Sequence, residues 1–215
     1  MGAPEVSARF TVATPGEMER LGRGLAGLLR AGDLLILTGD LGAGKTTLTR
    51  GLGAGLGVRG DVASPTFVIA REHRPLGAGP GLVHVDAYRL TSAAELDDLD
   101  LEASLDQAVT VVEWGEGLAE SLADHRLEVR ISRSRGEQFT GVDGEPPPPP
   151  TDQADPTLDD PRVVELIGHG ERWADVRWAD VRWADDRWAD VRGADDRKAD
   201  DRKADDRRAG VLLDP

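Results

Sequence analysis

Cysteine is missing from all 215 residues, which excludes a disulfide framework, a thiolate zinc site and a cysteine nucleophile. Asparagine is missing too, so the Asn-Lys-x-Asp element with which GTPases usually select their base has no counterpart. No stretch approaches the roughly 20 apolar residues that a membrane helix needs. The segment from Met1 to Phe10 has neither the basic start nor the apolar run of a secretory signal. A cytoplasmic protein without a membrane partner is therefore expected. Positive charge is in deficit, with 26 Lys and Arg against 40 Asp and Glu and a formal net charge of −14. Such a chain repels phosphate backbones at long range, which argues against a general DNA or RNA binder.

The length suits one ordinary domain with a full core and an appendage. Arg9 to Ala13 reads as an opening strand. Thr14-Pro15-Gly16-Glu17 then starts a helix, with Thr14 as cap, Pro15 in the first turn and Glu17 completing a capping box. Leu21, Leu25, Leu28 and Leu29 give that helix a buried face. Asp33 to Thr38 is a short apolar run, the mark of a strand covered on both faces in a parallel sheet. Lys45 to about Gly57 should be helical although Gly51, Gly53 and Gly55 each cost about 1 kcal/mol relative to Ala; close packing against the sheet is the expected compensation. Further strands are predicted at Phe67 to Arg71, Leu82 to Asp86, Val109 to Glu113 and Arg126 to Ser132, with short helical stretches near Ser92 to Leu99 and Glu116 to Ala123. The alternation predicts an α/β fold, a three-layer domain on a mostly parallel central sheet.

After about Arg135 the character changes. Pro146 to Pro150 cannot enter a sheet or a helix interior and reads as an extended linker. From Arg172 the chain repeats with a period of five, Arg-Trp-Ala-Asp-Val drifting to Arg-Lys-Ala-Asp-Asp. Neither a regular helix nor a strand gathers Trp173, Trp178, Trp183 and Trp188 into one stripe. A pentapeptide coil would stack Asp186, Asp196, Asp201 and Asp206 in its interior, which is prohibitive. The expected organisation is a domain over residues 8–135, a Pro-rich linker over 136–171 and a disordered low-complexity tail over 172–215.

Four motifs carry chemistry. Gly39-Asp40-Leu41-Gly42-Ala43-Gly44-Lys45-Thr46 has the spacing of a phosphate loop, and it stands between a buried strand and a helix, the context that motif requires. Its glycines let backbone N–H groups turn inward around phosphates, and the following helix adds its dipole. Lys45 would neutralise the β- and γ-phosphates of ATP and the Thr46 hydroxyl would ligate Mg²⁺. Leu82-Val83-His84-Val85-Asp86 is an apolar strand ending in an acid, the place of a Walker B aspartate that orients water on the metal; a helix-cap or turn aspartate is the alternative. His84 reads as a packed histidine rather than a base. Ser64-Pro65-Thr66-Phe67 suits a switch whose Thr66 hydroxyl senses Mg²⁺ and the γ-phosphate. Val111-Val112-Glu113-Trp114 is a second acid-ended strand, with Glu113 able to polarise an attacking water and Trp114, the only tryptophan expected inside the domain, able to line the site. A strand-end ion pair beside a core aromatic is the plainer reading of that last motif.

Taken together, Gly-Asp-Leu-Gly-Ala-Gly-Lys-Thr-Thr at 39 to 47, Ser-Pro-Thr-Phe at 64 to 67, His-Val-Asp-Ala-Tyr-Arg-Leu at 84 to 90 and Val-Glu-Trp at 112 to 114 resemble the TsaE family, the bacterial ATPase component of tRNA threonylcarbamoyladenosine synthesis. The likeness spans roughly residues 10 to 135. It implies a small P-loop ATPase that acts with the TsaB and TsaD proteins and meets tRNA only indirectly, through that complex. It also implies that residues 39–47 and Trp114 hold the nucleotide, that Thr46, Thr66 and Asp86 serve the metal, and that Lys45, Asp86 and Glu113 serve catalysis. A phosphate loop alone leaves two rivals, a small-molecule kinase and a nucleotide-gated binding module without turnover. Arg89 is the nearest arginine to these motifs that could act as an arginine finger.

Overall fold

The computed structural model describes residues 7–99, 101, 106–133 and 161–181. Strands β1 (Ala8–Val12), β2 (Leu34–Thr38), β3 (Ala70–His73), β4 (Gly81–Asp86), β5 (Ala108–Glu113), β6 (Arg126–Arg133) and β7 (Arg162–His169) form one sheet in the order β1-β7-β6-β2-β5-β4-β3. The four central strands, β6, β2, β5 and β4, run parallel. Both flanks are antiparallel, β3 on β4 at one side and β7 with β1 at the other. The mostly parallel α/β sheet expected from the alternation is thus present. Nearly every residue of β2, β4 and β5 is buried, as continuous apolar strands in a doubly covered sheet must be.

Helices α1 (Pro15–Ala26) and α2 (Lys45–Leu56) cover one face over Leu35, Leu37, Leu82, Val109, Val111, Leu127 and Val129. The opposite face packs Leu34, Ile36, Val83, Val85 and Val112 against the short helix α3 (Ala93–Asp97), Leu101 and Ala119. The Thr14 hydroxyl caps α1 by accepting from the Glu17 N–H at 3.2 Å, while the Glu17 carboxylate accepts from Ala13 N at 2.6 Å. Ser92 and Glu95 start α3 in the same manner, with Glu95 reaching Thr91 N. In both, the glutamate bonds the residue before the cap, a variant of the predicted box.

The glycines of α2 have two justifications, only one of which is the packing against the sheet that was expected. A Cβ on Gly51 would run into the Glu19 backbone, and one on Gly22 of α1 into Leu48 O. Gly51 and Gly22 therefore let the two helices touch backbone to backbone, and the compensation for Gly51 comes from α1 rather than from the sheet. Gly53 meets Val62, Val58 and Leu82.

Three expectations need correction. The domain does not end at 135: residues 162–169 of the supposed linker form β7, which fills the gap between β1 and β6 and buries Val164, Leu166 and Ile167. Without it both neighbours would present open edges. The start of the repeat also belongs to the core. Helix α4 (Glu171–Ala174) stops after one turn and a 3₁₀ turn follows at Trp178–Asp180. That break lets Trp173 and Trp178 stack with centroids 6.0 Å apart, both buried beside Val181. A fixed period describes one regular geometry, whereas the chain changes geometry between units. Trp114 is accordingly not the only tryptophan of the domain. The rest of the expected linker and tail, 136–160 and 182–215, lies outside the described residues. The third correction concerns β3, which begins at Ala70 rather than Phe67. A turn in which Val68 N and Ile69 N both donate to Pro65 O, with Ile69 at φ 66°, occupies the earlier residues. Around 116–123 the only helical piece is a 3₁₀ turn at Glu120–Leu122.

Candidate functional site

The carboxyl ends of β2, β4 and β5 bring the predicted residues to one place. Thr38 ends β2, the glycine-rich loop follows, and Lys45 opens α2. Gly39, Gly42 and Gly44 have φ of 153°, 75° and 112°. Gly39 is required for space as well: a Cβ there would strike Ile131 O of β6. Gly44 is the N-cap of α2 in the left-handed region and makes no side-chain cap, the arrangement in which first-turn amides can meet an anion. Leu41, at the outer bend, is 85% exposed.

Lys45 is buried. Its ammonium donates to Gly39 O at 2.6 Å and Asp40 O at 3.0 Å, and it lies 3.6 Å from the centroid of the Trp114 ring. Burial pushes its pKa below the ordinary lysine value, and the charges of Glu113, Asp86 and Asp40 resist that shift. Trp114 sits at φ 61°, and its backbone N–H donates to Leu37 O at 3.0 Å. A left-handed backbone at a bulky residue costs on the order of 1–3 kcal/mol and persists only where its surroundings over-determine it. Here that conformation accompanies an indole under Lys45 and 5.3 Å from the Tyr88 ring.

Asp86 and Glu113 are direct register partners on β4 and β5, both buried. Two adjacent buried carboxylates repel unless each is satisfied separately. The Thr46 hydroxyl donates to Glu113 Oε2 at 3.0 Å, and His84 Nε2 lies 2.8 Å from Glu113 Oε1. Asp86 Oδ2 accepts from Ser64 at 2.9 Å and from Thr66 at 2.7 Å, while Asp86 Oδ1 accepts from Tyr88 N at 3.2 Å. The hydroxyls expected to serve the metal thus divide between the two acids, Thr46 with Glu113 and Thr66 with Asp86. Phe67, beside the Ser64 and Thr66 hydroxyls, is 88% exposed, with the Arg89 guanidinium 5.5 Å from its ring.

Thr47 faces a different space, a pocket of about 110 Å³ lined also by Val12, Pro15, Met18, Gly44 and Arg162. Two residues of the site and one of the Thr47 pocket are not foreseen from the sequence. Tyr88 and Ser64 lay within recognised motifs but had been given no contact of their own. Arg162 lay in the presumed linker, where nothing signalled a site. The arrangement amounts to a left-handed glycine loop before a helix start, one buried ammonium, two buried carboxylates and three hydroxyls at the ends of parallel strands, the usual place for ligands in such sheets.

The family model described as "Threonylcarbamoyl adenosine biosynthesis protein TsaE" matches residues 12–139. The chain is 57% identical over 158 residues to the tRNA threonylcarbamoyladenosine biosynthesis protein TsaE of Streptomyces coelicolor, covering 73% of this chain and 94% of that protein. It is 38% identical over 139 residues to the protein of the same name from Bacillus subtilis, covering 62% of this chain and 85% of that protein. The crystal structure of Bacillus subtilis YdiB is similar with a TM-score of 0.56 at 29% identity, covering 80% of this chain and 92% of that one. All four site motifs fall inside the matched segment, and the chain belongs to the TsaE family of threonylcarbamoyladenosine biosynthesis proteins.

Proposed function

We propose that this site binds ATP with Mg²⁺ and hydrolyses it to ADP and phosphate in the service of tRNA threonylcarbamoyladenosine synthesis, acting on a complex of the TsaB and TsaD proteins. The observation that carries the reading is the meeting of Lys45, Thr46, Glu113 and Asp86 at the mouth of the glycine loop. Backbone amides of 39–47 would line the phosphates, Lys45 would offset their charge, and Trp114 would wall the site on the far side of Lys45. Glu113, held against Thr46, would orient or deprotonate water. Asp86 links the segment of Ser64 and Thr66 to the strand end, the position of a switch.

The oxygen donors fit a magnesium site. Mg²⁺ takes one or two carboxylates together with phosphate and water oxygens rather than an all-protein cage, and the Thr46 hydroxyl with Glu113 or Asp86 offers that set. Among the described residues no group of three or more His, Cys, Asp or Glu is placed to hold a metal unaided. When bound, the ion would neutralise phosphate charge and polarise the phosphoryl group.

Calorimetry with ATP in the presence and absence of Mg²⁺, followed by phosphate release with and without TsaB and TsaD, tests the proposal. Binding lost in Lys45→Ala, with slow turnover that rises with the partners and needs no acceptor, is expected. Transfer to an acceptor molecule would move the protein to the kinases, and no heat of association would end the reading. The part of the chain that can be removed as a control begins after Val181, because residues 162–181 belong to the sheet and the core.

A further inference from the structure

His84 stands two residues before Asp86 on β4, on the sheet face that α2 covers, and its side chain is fully buried. On that face β4 and β5 also present Leu82, Val109 and Val111. An imidazole among aliphatic side chains is costly unless its polar atoms are satisfied. Nε2 is satisfied by Glu113 Oε1 at 2.8 Å, whereas Nδ1 has no hydrogen-bond partner among the described residues. An ionised carboxylate only accepts, so the proton of this bond sits on Nε2. The bond to Glu113 therefore fixes a hydrogen on Nε2.

The consequence falls on Glu113. One carboxylate oxygen takes the His84 N–H and the other takes the Thr46 hydroxyl, so the carboxylate is pinned from two sides at the end of β5. Removing the histidine leaves a buried acceptor unsatisfied and lets the flexible glutamate side chain turn away from Thr46. We propose that His84 is a positioning residue that fixes the Glu113 carboxylate toward Thr46, rather than a histidine retained for core packing alone. For its kinetic arm the proposal rests on the ATPase reading given above; its spectroscopic arm does not.

The spectroscopic arm uses the nucleotide-free full chain. Nitrogen-15 NMR should show one imidazole of the Nε2–H form with a slowly exchanging downfield proton, absent in His84→Gln and shifted or lost in Glu113→Ala. A His84 ring protonated on Nδ1 instead, or an Nε2 proton indifferent to Glu113→Ala, would overturn the proposal. In the kinetic arm, His84→Leu should lower turnover about 10- to 100-fold, the usual effect of losing a group that orients a site ligand. ADP affinity measured without divalent cation should stay within about twofold of wild type, since the loop and Lys45 are untouched. His84→Gln, whose amide N–H can replace the Nε2 donor, should regain most of the lost turnover. Equal turnover in His84→Leu and wild type, or equal loss in the Leu and Gln variants with unchanged unfolding midpoints, would assign the histidine to packing. Absence of turnover in wild type would refute the ATPase reading while leaving the NMR result to decide the role of His84.

Discussion

Arg172 opens the first repeat unit, and the structure makes it a buried clamp. Its Nε donates to Asp33 Oδ1 at 2.8 Å, while Nη2 donates to Asp33 Oδ2 and Leu28 O, both at 2.7 Å. The side chains are 12% and 4% exposed, so solvent cannot replace either partner cheaply. The guanidinium also lies 4.4 Å from the Trp173 ring centroid. Deleting one member of a buried ion pair costs about 3–5 kcal/mol. Asp33 would keep the Arg30 N–H at 2.9 Å and the Arg30 guanidinium at 4.0 Å, which points to the lower part of that range. Arg172→Ala should therefore lose about 3–4 kcal/mol, or roughly 6–16 °C in midpoint for a chain of this size. Urea unfolding with an unchanged slope is the assay. Arg172→Ala combined with Asp33→Ala should cost less than Arg172→Ala alone, because the uncompensated carboxylate is gone. A loss under about 1 kcal/mol in Arg172→Ala would mean the pair is not a buried clamp and would make the repeat a surface appendage.

Other consequences are open to measurement. Because burial lowers the Lys45 pKa, the unfolded chain holds that proton to higher pH, and stability should rise with pH as the solution passes from the folded value up to the ordinary 10.5; Lys45→Met should remove this slope in alkaline unfolding titrations. Burial likewise lowers the His73 pKa, against the pull of its hydrogen bond to Arg59 O, so stability present above the ordinary 6.5 should fall as pH drops toward the folded value, and His73→Gln should flatten the acid limb. Glu113→Gln and Asp86→Asn should each bind ATP at least about tenfold more tightly than wild type when divalent cations are removed, the equivalent of ~1.4 kcal/mol of lost repulsion, yet more weakly when Mg²⁺ is supplied. Calorimetry showing the same sign of change in both conditions would contradict the placement of these carboxylates beside the phosphates.

The parts of the molecule legible in the sequence are those whose reasons are local. The glycine loop could be read because its spacing is contiguous and a buried strand precedes it. β2, β4 and β5 could be read because strands covered on both faces are apolar throughout. β7 could not, since Val163 to Ile167 follows a proline run and its role depends on the edges of β1 and β6, far away in the chain. The same holds for Trp173 and Trp178, whose stacking needs a break between α4 and the next turn that no fixed period describes. In the site, the residue types were readable and their pairings were not. That Thr46 would meet Glu113, and His84 would stand behind it, follows from the alignment of β4 with β5, in which His84 lies opposite Val111 and Asp86 opposite Glu113.

The distant C-terminal segment and the glycine loop are mechanically connected. β6 lies between β7 and β2, and its Ile131 O is the atom against which Gly39 packs. Asp33, the residue Arg172 grips, immediately precedes β2, whose other end delivers Gly39. Both supports of the loop thus pass through residues 162–181: one through the β7 pairing that holds β6, the other through the clamp that fixes the start of β2. Packed interiors transmit such displacements because they have little free volume to absorb them. A chain cut near residue 140 would remove β7, Trp173 and Arg172 together, so lost nucleotide binding in that fragment would report a collapsed frame rather than a catalytic tail. A chain ending after Val181 keeps β7, both core tryptophans and the clamp, and it is the truncation that isolates whatever the remaining repeats contribute.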